Sequence, residues 1–537
     1  MSQLRVVALA LLVVACGSGG ESDGAAGSKT SAGGNRSDVP DVPFERPPYE
    51  PQPGSCGFEE PAFCDTFEDG PQSGGRSGEL DPTLWSVVRG APYNSASFDD
   101  AVRIGPALVG QCRDGVSSTR VLPDSDVLVC DPTDAIPTRH ALGTAAAQNY
   151  GLSTYRIRQP FDFGERTGTI KLDMDLTNNG LGGWPALIIA GDPSPAPSFD
   201  WQERGSGPKN GVEIEFGTGW CNTPHTLQPI VYTFADYVQT AFVPSFDCAN
   251  VHAFTRPDAL NHVEVYLTQR HIEVWASDFS PDGVDFPNFQ KLWEGELELP
   301  FSRGYVSLAL RNHATIKYWL GSAATLRWDN IGFDGPKVSD FREYSAPDSL
   351  LPYDGLSGCV MSGSPDCQWV GDVIAQHPDG GAECAMTGCH YDGQGRSVGY
   401  VLPNEQDTDT APPALEFSGV DVSGATRARL VLAASYPWFE WNGVNHPPQF
   451  MSLLYRVNGG EWHERPVDDA EANAFIDYSP EIGGAGASSG LLNQTVELDL
   501  AELGSGDNRI ELRSAHTWVG TYRVTITGAD LVLGSAP

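Results

Sequence analysis

The stretch GVEIEFGTG at residues 211–219 has the alternation on which the fold assignment rests. Two glutamates, Glu213 and Glu215, alternate with apolar residues, so a strand of period two places both carboxylates on one face and the apolar side chains on the other. Glycoside hydrolysis requires a pair of carboxylates, which makes Glu213 and Glu215 candidate catalytic residues. A solvated strand face has the same pattern and is the alternative interpretation.

The same kind of alternation recurs along the chain. Alternating or β-branched runs bounded by turn residues include TYRIRQPF at 154–161, TIKLDMDL at 169–176, HVEVYLT at 262–268 and YVSLALRN at 305–312. We find no convincing helix of ten or more periodic residues after residue 15. The sequence therefore predicts an all-β protein.

The length of the chain predicts two domains. A chain of 537 residues is too long for one hydrophobic core, and a polar stretch near residues 336–348 separates two strand-rich blocks. We predict two antiparallel sandwiches or jelly rolls, one over residues 55–338 and the other over residues 339–537.

The N-terminus predicts export. Residues 1–16 combine one positive charge, a short apolar run and the sequence VVAC, which resembles a bacterial lipoprotein signal with Cys16 as the lipidated residue. An ordinary secretory signal with a chance cysteine is the alternative. Residues 17–54, rich in Gly, Ser and Pro, then form a flexible tether. We expect an exported protein that is anchored to the bacterial outer membrane. The N-terminal lipid is its only contact with that membrane.

The cysteine count agrees with export. Of eleven cysteines, ten remain beside Cys16, and sequential pairing predicts five disulfides in an oxidising compartment. A zinc site in CAMTGCH at 384–390 is a weaker alternative, because its spacing is wrong and no second ligand pair lies nearby. The ten cysteines are Cys56, Cys64, Cys112, Cys130, Cys221, Cys248, Cys359, Cys367, Cys384 and Cys389.

The charge balance narrows the choice of partner. Asp and Glu number 70 against 33 Lys and Arg, a formal net charge of −37, and no run of basic residues makes a local exception. Such a chain repels nucleic acid, while neutral polymers and cationic molecules remain possible partners.

Two motifs have the Gly-x-Ser-x-Gly form of a serine nucleophile elbow. They are GRSVG at 395–399 and GASSG at 486–490, and neither is followed by the helix that such an elbow needs.

Five short motifs resemble one superfamily. They are CDTFEDG at 64–70, LDPTLWSV at 80–87, GGWPALIIAG at 182–191, VEIEFGTG at 212–219 and LRWDNIGFDG at 326–335. Their order resembles that of concanavalin A-like lectin/glucanase folds, most closely the laminarinase and lichenase branch of the glycoside hydrolases. The resemblance covers roughly residues 58–336 and implies a jelly roll whose concave face binds a glycan chain. The C-terminal block only vaguely resembles a galactose-binding-like sandwich.

The resemblance also implies a catalytic strand that this chain lacks in part. The family pattern reads Glu-x-Asp-x-Glu, or has one more residue before the last Glu. With Glu213 as nucleophile, the acid/base position falls on Gly217 or Thr218; with Glu215 as acid/base, the nucleophile position falls on Gly211. Both registers lose one essential carboxylate, although a rewired Glu213–Glu215 pair is compatible with the required separation.

The resemblance further implies a structural calcium ion that joins the first and last strands. Asp65 and Asp329 are its candidate ligands, and solvated turn aspartates are the alternative. No other cofactor is expected.

Tryptophans complete the candidate glycan site, because the C–H face of a sugar stacks on a flat ring. Trp184 and Trp220 flank the glutamate strand, and Trp438 and Trp441 lie in a Pro-bounded loop at 436–448. The alternative is that these rings are core residues.

Together these features predict a tethered protein that binds a polysaccharide through an inactivated glucanase-like domain. An active glycoside hydrolase with a rewired carboxylate pair is one alternative. An adhesion or scaffold protein without sugar binding is the other.

Overall fold

The fold is described from a computed structural model of the chain. The residues it describes are 42–46, 56–69, 80–90, 102–106, 140–146, 152–175, 183–193, 208–218, 226–236, 238–244, 253–256, 259–280, 283, 285–312, 324–346, 400–403, 405, 412, 414–441, 444–446, 451–467, 487–516 and 525–534.

All regular elements in these ranges are strands, which confirms the all-β prediction. The first seventeen are Phe63–Asp65 (β1), Trp85–Gly90 (β2), Val102–Pro106 (β3), His140–Ala146 (β4), Leu152–Ile157 (β5), Phe161–Asp162 (β6), Gly168–Asp175 (β7), Gly183–Ala190 (β8), Gly211–Thr218 (β9), Thr226–Ala235 (β10), Val238–Pro244 (β11), Ala253–Phe254 (β12), Asn261–Leu267 (β13), His271–Ala276 (β14), Gln290–Glu296 (β15), Arg303–Asn312 (β16) and Ala324–Phe333 (β17). The next ten are Arg342–Ser345 (β18), Tyr400–Val401 (β19), Ala414–Val420 (β20), Arg427–Trp441 (β21), Val444–His446 (β22), Met451–Val457 (β23), His463–Pro466 (β24), Ala487–Leu498 (β25), Gly506–His516 (β26) and Thr525–Gly534 (β27).

The first seventeen strands form two antiparallel sheets. Sheet A has the order β15-β14-β13-β7-β17-β4-β3, with β1 paired to β17. Sheet B has the order β11-β10-β9-β8-β16-β5-β2, with β12 on β10 and β6 on β16. Neighbours that are distant in sequence, such as β7 beside β17 and β8 beside β16, give the crossover connections of a jelly roll.

The first hydrophobic core fills the space between sheets A and B. It takes alternate residues from strands of both sheets, such as Ile170 and Leu172 of β7 and Ile214 and Phe216 of β9. Alternation in the sequence therefore sets which side chains face this core and which lie on the outer face of each sheet.

The remaining ten strands form a second sandwich. Sheet C has the order β18-β27-β21-β22, with β19 on β27 and β25 on β21, and sheet D has the order β20-β26-β23-β24. A separate core lies between them, with Leu430 of β21 and Leu531 of β27 facing Leu453 of β23 and Ile510 of β26. Within the ranges given above, no helix has the length and hydropathy that crossing a bilayer requires.

Candidate functional site

Glu213 and Glu215 lie on β9 and share the outer face of sheet B. Their neighbours Val212, Ile214 and Phe216 belong to the first core, so the two carboxylates are on the opposite side of the strand. This is the arrangement that the alternation predicts. The two side chains are nevertheless buried, since Glu213 is 0% exposed and Glu215 is 1% exposed. Their surroundings are not those of an open cleft floor.

The side chains next to the glutamate pair are largely apolar. Glu213 lies opposite Tyr232 of β10 and Ile188 of β8, and Glu215 lies opposite Ala186 of β8. The Tyr232 hydroxyl donates a hydrogen bond to Oε2 of Glu215 at 3.2 Å. A buried carboxylate needs such donors, because burial removes its contacts with water.

Gly211 occupies the position at which one register would require the nucleophile. It shares the outer face with the glutamates, two residues before Glu213. A Cβ atom built at Gly211 would lie 2.4 Å from the carbonyl oxygen of Ile189, which is closer than real side chains approach backbone. The backbone of β8 therefore leaves no room for a carboxylate side chain at this position.

Four buried charged groups join the two sandwiches, and we call them the interface cluster: Arg156, Arg158, Glu343 and Asp530. Arg156 of β5 donates two hydrogen bonds to the Glu343 carboxylate of β18, at 2.9 and 2.5 Å. Arg158 contacts the same carboxylate and lies 3.5 Å from Oδ1 of Asp530 on β27. The four side chains are 1–9% exposed, and their charges balance.

Further hydrogen bonds show which faces meet. Ser86 Oγ of β2 donates to Asp530 at 2.5 Å, and Arg429 of β21 donates to the Tyr305 hydroxyl of β16 at 3.0 Å. Thr495 Oγ1 of β25 donates to Asp192, which follows β8, at 2.6 Å. Sheet C therefore stacks on the outer face of sheet B. This is the same face that carries the two glutamates on β9.

The candidate calcium ligands lie on adjacent strands and have protein partners. The Asp65 carboxylate accepts hydrogen bonds from Trp85 Nε1 at 2.7 Å and from the Phe67 backbone N–H at 2.8 Å. Burial raises the pKa of Asp65 above its ordinary value, an effect that these two hydrogen bonds partly offset. Asp329 is buried and accepts from the Asn330 backbone N–H at 2.8 Å. The calcium site stays a prediction.

The outer face of sheet A carries a buried charged network that the sequence analysis did not identify. His262 of β13 contacts Asp173 through Nδ1 at 2.6 Å and Glu264 through Nε2 at 3.0 Å. Lys171 lies 3.1 Å from Oε1 of Glu264, and Tyr266 donates to the other oxygen of the same carboxylate.

These contacts set the protonation states in the network. Burial alone would lower the pKa of His262, but Asp173 and Glu264 outweigh it and raise the pKa to about 9. Burial would raise the pKa of Glu264, but His262, Lys171 and Tyr266 lower it below its usual value. At neutral pH His262 is therefore a cation between two carboxylates, and it lacks a free lone pair to act as a general base.

One group of side chains has the composition of a metal site. His271, Glu273 and Glu294 bring three ligand atoms within 4.8 Å of one another. The Lys291 ammonium lies 3.1 Å from Glu273 and 2.5 Å from Glu294. Lys291 therefore already compensates the charge that a metal ion would neutralise.

The end of the predicted tether lies against the outer face of sheet A. The Arg46 guanidinium is 4.2 Å from the centre of the Trp275 ring, and the Phe44 ring meets His271 edge-on at 4.6 Å. The Glu45 backbone N–H also donates to Thr167 Oγ1 at 2.9 Å. Residues 42–46 are thus attached to the first sandwich.

The predicted tryptophans are only partly covered by the structure. Trp184 lies on β8, Trp438 and Trp441 lie on β21, and Trp220 lies outside the described residues. The segment 436–448 was expected to be a loop. It contains a strand pair instead, because β21 continues through Trp441 by pairing with β25 and then turns back as β22. The stacking roles stay predictions.

One of the five predicted disulfides lies within the described residues. Cys56 and Cys64 form it, which confirms the first sequential pair. Cys16 and the other eight cysteines lie outside the described residues: Cys112, Cys130, Cys221, Cys248, Cys359, Cys367, Cys384 and Cys389.

Sequence reasoning missed the interface cluster, although a signal for half of it exists. In TYRIRQPF, Arg156 and Arg158 alternate with Tyr155 and Ile157, which places two guanidinium groups on the face away from the core. Two arginines on one strand face indicate a polar contact surface. Their partners on β18 and β27 follow about 190 and 370 residues later and have no comparable signature.

Comparison with known proteins finds distant similarity to solved structures only. No protein-family model matches the chain, and no curated protein sequence matches it. Among solved structures, a glycoside hydrolase family 16 endo-glucanase from Bacteroides ovatus is 12% identical, with a TM-score of 0.31, covering 50% of this chain and 99% of that one. A beta-1,3-glucanase from Mycobacterium marinum is 13% identical, with a TM-score of 0.27, covering 52% and 100%.

A carbohydrate-binding module, CBM66 from Bacillus subtilis, is 12% identical, with a TM-score of 0.22, covering 36% of this chain and 86% of that one. At these identities and scores we infer neither a family nor an activity from these structures.

Proposed function

We propose that this protein is an exported, membrane-anchored lipoprotein that binds a polysaccharide without cleaving it. The observation that carries the non-catalytic part is the burial of Glu213 and Glu215, which are 0% and 1% exposed on the outer face of sheet B. A retaining glycosidase must bring the scissile bond between its two carboxyl groups, and fully buried carboxylates do not meet a polymer chain.

The missing third carboxylate supports the same conclusion. A glycosidase separates the pKa values of its two catalytic carboxyl groups by giving each its own environment. Here the two glutamates share one strand face, and Gly211 has no room for a replacement. Loss of one catalytic carboxylate removes several orders of magnitude in rate, whereas glycan affinity is spread over aromatic rings and hydrogen bonds.

Export and anchoring are supported by the sequence of residues 1–16 and by the Cys56–Cys64 disulfide, since disulfides persist in oxidising compartments. The carbohydrate partner is supported by the five motifs of the first block. The composition, with a net charge of −37, favours a neutral polymer over a polyanion.

The test incubates the purified protein with laminarin, lichenan and other insoluble and soluble β-glucans, and follows reducing ends and pull-down separately. We expect retention on a polysaccharide and no reducing ends above a boiled control. Reducing ends that disappear in Glu213→Gln or Glu215→Gln would establish a hydrolase with a rewired pair. Absence of both signals on all polysaccharides would favour the scaffold alternative.

A further inference from the structure

A hairpin at the edge of sheet D presents an exposed tryptophan. β23 and β24 are joined through residues 458–462, where Asn458 and Gly459 adopt positive φ angles of 51° and 75°. The Asn458 amide donates to the Glu502 carbonyl and to Asn508 Oδ1, both at 2.9 Å, which fixes the turn. Trp462 follows the turn and is 37% exposed.

Trp462 lies over the outer face of sheet D, which is the face away from the second core. The guanidinium carbons of Arg456 on β23 and Arg513 on β26 are 4.8 and 5.7 Å from the centre of its ring. Such cation–π contacts hold the ring in place while it stays exposed. The ring is therefore presented in a fixed position before any ligand binds, which lowers the entropy cost of binding.

Planar polar groups extend from this ring across the sheet. Arg456 contacts the Glu511 carboxylate, and Arg509 reaches Glu511 at 3.3 Å and Glu416 of β20 at 3.4 Å. Paired carboxylates and guanidinium groups offer hydrogen-bond acceptors and donors side by side along three strands. We call this surface, formed by Trp462, Arg456, Arg509, Arg513 and Glu511, the sheet D platform.

The chemistry of the sheet D platform matches a neutral sugar chain. A pyranose ring offers an apolar C–H face to an aromatic ring and hydroxyl groups at its edges to planar polar side chains. Because carboxylates pair with Arg456 and Arg509 and the chain carries a net charge of −37, a polyanion is disfavoured.

A protein partner fits this surface less well. Protein interfaces have an apolar core at their centre. Within the part of the chain that the structure describes, the exposed large hydrophobic residues besides Trp462 are Leu84 and Phe254, both on the first sandwich. The platform thus has one aromatic ring in a polar surface.

We infer that the sheet D platform is the binding site for a neutral polysaccharide, with Trp462 as the stacking residue. This assignment rests on the proposed function and gives it a location on the second sandwich, away from the buried glutamates.

The test is affinity electrophoresis of the full-length protein, purified in a mild detergent, in gels that contain laminarin, lichenan, galactomannan or dextran, with alginate as the polyanion. We expect retardation by at least one neutral polysaccharide and a loss of roughly 5- to 150-fold in affinity for Trp462→Ala, as for other stacking contacts. The matched control is Phe254→Ala, which removes another exposed ring, 46% exposed, and should leave the affinity unchanged.

The outcomes distinguish the sheet D platform as the binding site from glycan binding by the protein as a whole. Wild-type retardation that Trp462→Ala leaves unchanged would overturn the platform and leave glycan binding standing. No retardation of the wild type by any neutral polysaccharide, or retardation by alginate alone, would overturn both. Trp462→Phe keeps a ring and is expected to retain part of the affinity, and an unfolding midpoint equal to that of the wild type confirms that each variant is folded.

Discussion

Replacement of Glu343 by Gln tests the contact between the two sandwiches. The substitution keeps the size of the side chain but removes the negative charge that faces Arg156 and Arg158. Two guanidinium groups then share Asp530 as their only carboxylate in the interface cluster, at 3.8 and 3.5 Å. Breaking a buried ion pair from one side costs about 3–5 kcal/mol, because the remaining charge stays buried without compensation.

The chain contains a matched control with the same residue types. Arg427 and Glu497 also form a pair with hydrogen bonds at 3.0 and 2.9 Å, but their side chains are 37% and 53% exposed. Exposed pairs contribute about 0–1 kcal/mol, so Glu497→Gln should change stability little. The double variant Arg156→Met with Glu343→Leu restores charge balance and should cost less than Glu343→Gln alone.

The assay is urea-induced unfolding followed by tryptophan fluorescence for the wild type and the three variants. Loss of more than about 2 kcal/mol for Glu343→Gln, with under about 1 kcal/mol for Glu497→Gln, is the expected result. Equal midpoints for these two single variants would refute the stacking of sheet C on sheet B.

Three further predictions concern other parts of the chain. The pKa of His262 is about 9 in the folded protein against an ordinary 6.5, so its stabilising effect is complete below pH 6.5 and is lost as the pH rises through 9. The free energy of unfolding should fall by about 1.4 kcal/mol per pH unit in this window. A slope that His262→Gln leaves unchanged would contradict the raised pKa of His262. Gly211→Ala should lower the free energy of unfolding in urea by about 1–3 kcal/mol, because its Cβ would lie 2.4 Å from the Ile189 carbonyl oxygen. Gly504→Ala has open space around it and should lower this free energy far less. Equal losses would argue against the close packing of β8 and β9. Cys16→Ser should move the protein from the membrane fraction to the soluble fraction, and unchanged fractionation would rule out lipidation at this residue.

The strands were predictable because alternation is local. In VEIEFG, HVEVYL and TIKLDM the apolar residues other than Tyr266 lie in the first core, as a period of two requires. The same rule put Glu213 and Glu215 on one face. Their burial could not be predicted, because it depends on what covers that face in the folded chain. The interface cluster could not be predicted either, since the contacts of Arg156 with Glu343 span 187 residues.

The charged network on sheet A shows the same limit. His262 and Glu264 are two residues apart in one strand, and their shared face could be read from the sequence. Asp173 and Lys171 reach them only because β7 pairs with β13 in one register, in which His262 lies opposite Asp173. A shift of one residue would have placed these groups in the core instead. Trp462 was missed because it lies in a polar turn without hydrophobic periodicity.

Carboxyl labelling of the native protein with a water-soluble carbodiimide and an amine, read by mass spectrometry of its peptides, tests most directly whether the glutamate pair can meet a substrate. Glu416 and Glu497, at 50% and 53% side-chain exposure, serve as exposed references. We predict that both references are labelled while Glu213 and Glu215 stay unlabelled until the protein is unfolded. Labelling of Glu213 or Glu215 in the native protein at the rate of the references would contradict their burial, and with it the main argument that the glutamate pair does not cleave a glycan.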